Sequence, residues 1–208
     1  MKLSPIEIEE KSMRIIESKI PIELYSEDEL LIVKKIIHTT ADFSLRKNIV
    51  FKEGVIKKAV NNIKSGKDIV TDVFMVKEGI SPFLLKNYKG ALHCFIREEK
   101  VQRTAEKEGI TRAEASVRYA FENLKNIGIF AVGNAPTAIF EILRLNKKGM
   151  ISDDLVVLGF CVGMVGAKEA KKELLKSDIP AILLKGNRGG SPLAATTLNG
   201  LLKLAFNK

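Results

Sequence analysis

Histidine is scarce in this chain: two occur among 208 residues, His38 and His93. Imidazole is the side chain whose ordinary titration lies near neutrality, so a histidine is the first candidate for proton donor or acceptor in an enzyme working without a metal. His38 stands in Ile36-Ile37-His38-Thr39-Thr40-Ala41-Asp42-Phe43, where an apolar stripe runs out into hydroxyls and a carboxylate. A histidine near a helix end also serves as a cap or a solvated surface group. By itself the segment therefore points only to acid/base work. His93, between Leu92 and Cys94 in an apolar run, reads as structural.

A second kind of chemistry is suggested by glycine-rich junctions. Val132-Gly133-Asn134-Ala135-Pro136-Thr137 leads from an apolar run into a helical pattern, and Gly159-Phe160-Cys161-Val162-Gly163 follows another such run. Lys185-Gly186-Asn187-Arg188-Gly189-Gly190-Ser191 precedes the final helical stretch. Glycines let backbone N–H groups approach a ligand, and helix N-termini favour anions. The last loop adds Lys185 and Arg188, which makes it the best candidate cradle for carboxylate or phosphate. Each turn taken alone is also what a tight connection requires. Neither G-x-G-x-x-G opening a first βα unit nor G-x-x-x-x-G-K-[ST] is present. His38 and His93 have no cysteine or carboxylate at a standard metal-ligand spacing, so no metal site is expected.

These residues need a scaffold. A helical N-terminal region is predicted from the pattern at 5–18 and from Ser26 followed by Glu27-Asp28-Glu29, an N-cap with acids in the first turn. Leu30, Leu31, Val33, Ile36 and Ile37 continue it as an apolar stripe. A short helix is predicted over 53–64. The period then changes: 68–73, 91–96, 127–132, 155–160 and 181–184 read as strands. Helices lie between and after them: Thr111-Arg112-Ala113-Glu114 has capping-box spacing, Pro136 suits a first turn, and 167–176 and 192–206 are amphipathic. The expected fold is α/β, a mainly parallel central sheet flanked by helices, in one domain over 1–208. Such sheets bind ligands at the carboxyl ends of their strands.

Composition narrows the partners. The chain is 46% hydrophobic and 28% charged, ordinary for a globular protein. Cys94 and Cys161 lie in apolar runs and read as buried thiols in a reducing compartment. No apolar signal region follows Met1-Lys2-Leu3-Ser4-Pro5, and the uncharged run 155–167 is too short to span a bilayer and holds three glycines. A cytoplasmic protein without membrane contact is expected. The net charge of +9 suits solubility or an anionic partner. The basic residues are dispersed, with no basic tail and no tryptophan, so nucleic acid is not expected and a polyanionic small molecule fits at least as well.

Seven segments follow one another along the chain: Pro5-Ile6-Glu7-Ile8-Glu9 with Ser12; His38-Thr39-Thr40-Ala41-Asp42; Thr71-Asp72-Val73-Phe74-Met75-Val76 with Gly79-Ile80; Thr111-Arg112-Ala113; Ala131-Val132-Gly133-Asn134-Ala135-Pro136-Thr137; Gly159-Phe160 with Val162-Gly163; and Lys185-Gly186 with Arg188-Gly189-Gly190-Ser191. In these segments and their order the chain resembles the precorrin-8X (cobalt-precorrin-8) methylmutase family of cobalamin biosynthesis. Cys161 stands where that family's loop is expected to carry proline, and Asn187 where a basic residue is frequent. The resemblance implies a homodimeric isomerase needing no cofactor, with a heptacarboxylate tetrapyrrole bound near the subunit interface. It implies an intramolecular methyl shift from C-11 to C-12, giving cobyrinate, or hydrogenobyrinate when cobalt is absent. His38 would be the proton donor to a ring nitrogen. Ser12, Thr39, Thr40, Asp42, Arg112, Arg118, Asn134, Thr137, Lys185, Gly186, Arg188, Gly189, Gly190 and Ser191 would bind or position the substrate. A non-catalytic tetrapyrrole carrier would share the loops without depending on His38. A nucleotide- or phosphate-binding α/β enzyme is a third class, disfavoured by the missing fingerprints.

Overall fold

A computed structural model describes residues 4–206; Met1-Lys2-Leu3 of the signal-region reading lie outside the described residues. Six strands form one sheet: β1 (Ile49–Phe51), β2 (Asp68–Thr71), β3 (Leu92–His93), β4 (Ile127–Val132), β5 (Val156–Gly159) and β6 (Ala181–Leu184). Their spatial order is β1-β6-β5-β4-β2-β3. Every pairing is parallel except β1 with β6, so the short antiparallel strand closes one edge. The expected mainly parallel α/β sheet is the architecture found.

Ten α-helices surround it among the described residues: α1 (Pro5–Glu17), α2 (Glu27–Thr40), α3 (Val55–Lys64), α4 (Phe74–Glu78), α5 (Pro82–Leu85), α6 (Glu99–Glu108), α7 (Arg112–Asn123), α8 (Pro136–Lys147), α9 (Ala167–Lys176) and α10 (Ser191–Phe206). Period-two alternation sorts the strands' side chains between two cores. Ile129 and Ala131 of β4, Val156 and Leu158 of β5, and Ile182 and Leu184 of β6 face α2, α3 and α10. Phe130 and Val132, Val157, and Ala181 and Leu183 face α7, α8 and α9. With both faces covered, the central strands are buried along their whole length, as parallel strands between helix layers must be.

The helix starts follow local chemistry. Capping boxes open α1 (Ser4 with Glu7), α2 (Ser26 with Glu29) and α7 (Thr111 with Glu114). Pro136 occupies the first turn of α8, where its missing N–H costs nothing. Three predicted strands are shorter than the pattern suggested, β5 by one residue at each end. β2 ends at Thr71, the Asp72 N–H still reaching the Ala131 carbonyl of β4 (3.1 Å) before the chain turns into α4. In 91–96 only Leu92 and His93 pair with β2, at the sheet's outer edge. Helices α4, α5 and α6 and strand β1 had no counterpart in the predicted elements.

Candidate active site

The chain runs from β2 outward to β3 and then back across β2 to β4, so the strand order reverses between β2 and β4. A reversal of this kind opens a crevice at the carboxyl ends of the strands. Here the amides that line it are taken by the protein itself. Asp72, 1% exposed, accepts N–H bonds from Gly133 (2.9 Å), Asn134 (2.8 Å) and Ala135 (2.9 Å), the turn that starts α8. A helix N-terminus with a row of free amides attracts anions; in this molecule the acceptor for those amides is the internal Asp72 carboxyl group. Burial pushes the Asp72 carboxyl above its usual range, and the amides pull against that. A Cβ on Gly133 would sit 2.6 Å from Val76 Cγ2 and 2.7 Å from the Ser191 Cα, so only glycine allows α4 and α10 to close on this turn.

His38 lies further along the same edge, in the last turn of α2, exposed and without a bonded side-chain partner among the described residues. The residues after it are tied down. Thr39 Oγ1 is 2.9 Å from the Lys35 carbonyl and 2.8 Å from Thr196 Oγ1 in α10. Thr40 Oγ1 donates to the Ile36 carbonyl (2.9 Å) and accepts the Asp42 N–H (3.3 Å). Ala41 ends the helix in the left-handed region at φ 53°, the only non-glycine there among the described residues. That turn carries Asp42 to Arg188, with which it forms an ion pair, while Ser44 donates to Asp42 Oδ1 through its N–H (2.8 Å) and hydroxyl (2.6 Å). The Ser44 hydroxyl, followed by the Arg188 guanidinium, holds the Asp42 carboxyl down at about 2.

Arg188 belongs to the loop between β6 and α10, which is locked to the loop after β5. Gly190 donates its N–H to the Phe160 carbonyl (2.7 Å), and Gly163 donates to the Asn187 carbonyl (3.1 Å). A Cβ at Gly189 would stand 2.2 Å from the Phe160 carbonyl oxygen, a closeness no other residue permits. Lys185 projects into solvent, and Gly186 has φ 86°. Ser191 is buried at the first turn of α10. Beneath both loops, the Lys171 ammonium donates to the carbonyls of Cys161 (2.8 Å) and Arg188 (2.6 Å).

The remaining expected residues spread along the edge and beyond it. Arg112, exposed, starts α7, and Thr111 Oγ1 lies 2.8 Å from Thr137 Oγ1, joining the N-termini of α7 and α8. Asn134 is exposed above Asp72. Ser12 donates to the Ile8 carbonyl within α1 (2.8 Å). Arg118 sits further down α7 with its guanidinium committed: Nε donates to Glu141 (2.7 Å), and a second nitrogen pairs with Glu108. His93 stacks on Phe95 at 5.3 Å, and its Nε2 is 3.8 Å from Asp68 Oδ1, too far for a hydrogen bond.

Sequence reading missed three residues that organise this edge: Asp72, Lys171 and Thr196. Lys171 left a usable signal, since it shares the α9 stripe of Ala167, Ala170 and Leu174. Both cysteines are free and buried, and burial pushes the Cys161 thiol up to about 11, which makes it a poor nucleophile. Among the described residues no cluster of three or more His, Cys, Asp or Glu is placed to hold a metal ion, and no helix is long and apolar enough to cross a membrane.

Fold and edge define a class: a doubly wound α/β protein with one solvent-facing histidine beside a cationic, glycine-rich loop. Residues 7–204 match the precorrin-8X methylmutase family. A cobalt-precorrin-8 methylmutase of Methanocaldococcus jannaschii is 39% identical over 209 residues, covering 98% of this chain and 95% of that protein. One from Priestia megaterium is 36% identical, covering 99% and 90%. The crystal structure of a precorrin-8X methylmutase from Thermus thermophilus superposes with a TM-score of 0.87 at 33% identity, covering 96% of each chain. The chain belongs to the precorrin-8X methylmutase family and is an isomerase of cobalamin biosynthesis that moves a methyl group within its substrate.

Proposed function

We propose that the protein shifts the C-11 methyl of precorrin-8, or of its cobalt complex, to C-12, giving hydrogenobyrinate or cobyrinate, with His38 as the proton donor. The methyl–C-11 bond breaks as the methyl–C-12 bond forms, so no atom is gained or lost and no external cofactor is needed. A proton or hydrogen bond from His38 to a ring nitrogen draws electron density from the migrating centre. General acid catalysis of this kind contributes on the order of 10²- to 10⁴-fold. Holding the macrocycle in a reactive conformation supplies the rest.

The observation that carries this reading is the environment of His38. It is free to meet a ligand, sits where the end of a helix favours a cation, and is followed by a turn tethered twice, through Thr39 to Thr196 and through Asp42 to Arg188. Lys185 and Arg112 are exposed cations of this edge available to peripheral carboxylates, and Arg188, paired with Asp42 but with its side chain 58% exposed, keeps part of its guanidinium open to them. A homodimer with the substrate near its interface is part of the proposal. The exposed apolar residues Met164 and Val165 after β5 and Met75 on α4 favour a further apolar partner at the same edge.

His38→Ala tests the assignment. Turnover of the tetrapyrrole, followed by its visible absorbance, should be lost while affinity for the corrin product stays within a few-fold. Full activity in that variant would remove His38 from the mechanism. Tight product binding without turnover by the unaltered protein would favour a carrier instead.

A further inference from the structure

Lys171 is 1% exposed, and among the described residues its ammonium has no carboxylate partner. Burying an unpaired cation is costly, and burial pushes this lysine down from its ordinary value. A buried apolar position on α9 would be filled at no such cost by leucine or methionine. The ammonium's donors go instead to two backbone carbonyls, Cys161 at 2.8 Å and Arg188 at 2.6 Å. These belong to different loops, one following β5 and one following β6, and the second carbonyl is that of the residue whose guanidinium pairs with Asp42.

We infer that Lys171 is a positioning residue for substrate binding: a buried cationic strut that clamps the β5 and β6 loops together and fixes the cationic loop beside His38. This rests on the proposed tetrapyrrole site. Two further contacts depend on the same register, the Gly190 N–H to the Phe160 carbonyl and the Gly163 N–H to the Asn187 carbonyl. Arg188 is therefore held at both ends, by Lys171 through its carbonyl and by Asp42 and Ser44 through its guanidinium. Lys171 also places an uncompensated positive charge beneath the loops, in a setting where charges are weakly screened. A carboxylate arriving at the loop supplies the countercharge that the protein itself omits.

The test replaces Lys171 with methionine, which keeps the length and removes both donors and charge. Two readouts are taken on the full chain. The first is amide hydrogen exchange: exchange at Gly163 and Gly190 accelerates in Lys171→Met, while β4 and β5 amides stay protected as in the parent. The second is steady-state kinetics with the tetrapyrrole heptacarboxylate: KM rises on the order of 10- to 100-fold, the range expected on losing charge-assisted hydrogen bonds, with kcat within about threefold. A strut that served stability alone would lower the melting temperature and leave KM in place. Folded Lys171→Met with parental exchange at both glycines, or with parental KM, overturns the inference. Should Lys171→Met fail to fold, Lys171→Gln, which keeps an N–H donor without the charge, is read by the same two criteria. If the parent protein does not turn over the macrocycle yet exchange still accelerates in the variant, the strut stands and the substrate assignment falls.

Discussion

Thr39 Oγ1 and Thr196 Oγ1 lie 2.8 Å apart, joining the last turn of α2 to α10 across 157 residues of sequence. His38 is the neighbour of Thr39, so this contact fixes the turn that presents the imidazole. Removing either hydroxyl loosens that turn, leaving only the ties through Thr40 and Asp42, and misplacement of a catalytic group by about 1 Å costs up to roughly 100-fold. Thr39→Val and Thr196→Val should each lower kcat by about 10-fold. The double variant should be no worse than the poorer single one, because both remove the same contact. Additive losses would show that the two hydroxyls act separately.

The Asp42–Arg188 pair has a defined acid limit. The Asp42 carboxyl is held down at about 2, first by the Ser44 hydroxyl and then by the Arg188 guanidinium. Its unfolded counterpart titrates at about 3.9. The depressed value means the pair's contribution is fully present above about pH 4 and is lost as pH falls from there through about 2. Carbonyl NMR of Asp42 should show a midpoint near 2 in the parent, and Arg188→Gln should move it upward. An unchanged midpoint in Arg188→Gln would leave Ser44 as the sole cause.

Much of this layout is legible from residue pattern, and the exceptions have physical reasons. The capping boxes at Ser26 and Thr111 and the proline at 136 mark helix starts through interactions within one turn, which a sequence displays directly. β1 escapes because Ile49-Val50-Phe51 is only one short apolar run and gains its strand identity from pairing with β6, far along the chain. α6 escapes because its buried stripe is thin, Val101 and Ala105 in a charged segment. Asp72 reads as a strand residue until the amides of Gly133, Asn134 and Ala135 are seen to surround it. His38 and the β6–α10 loop are visible as chemistry in the sequence. Their connection through Asp42, Arg188 and Lys171 is a product of the fold.

Arg118 offers a contrast between substrate ligand and structural tie. Glu141, with a side chain 2% exposed, takes Nε of Arg118 and Nε of Arg144, each at 2.7 Å. Burial raises the Glu141 carboxyl, and the two guanidiniums outweigh it, so the group lies below its ordinary value. Removing one member of a buried pair costs about 3–5 kcal/mol. Glu141→Gln should approach the lower end of that range in chemical denaturation, since both cations remain partly solvated. Arg118→Gln should lose stability and keep KM within about twofold, as expected of a group acting through packing rather than contact. A large rise in KM at unchanged stability would return Arg118 to the substrate.

Asp72 decides what the reversal point between β2 and β4 can bind. In doubly wound sheets that crevice commonly receives a phosphate at a helix N-terminus, and here the Asp72 carboxylate occupies the amides of Gly133, Asn134 and Ala135. Asp72→Asn replaces one acceptor oxygen with an NH₂ that faces N–H donors. An unsatisfied buried donor costs about 1–3 kcal/mol, so the variant should be destabilised by that amount in thermal or denaturant unfolding. The same geometry predicts that nucleotides and inorganic phosphate give no thermal shift with the parent protein, because the amides already have an internal acceptor. A clear nucleotide-dependent rise in melting temperature would mean that the internal carboxylate does not close the crevice, and would reopen the phosphate-binding alternative.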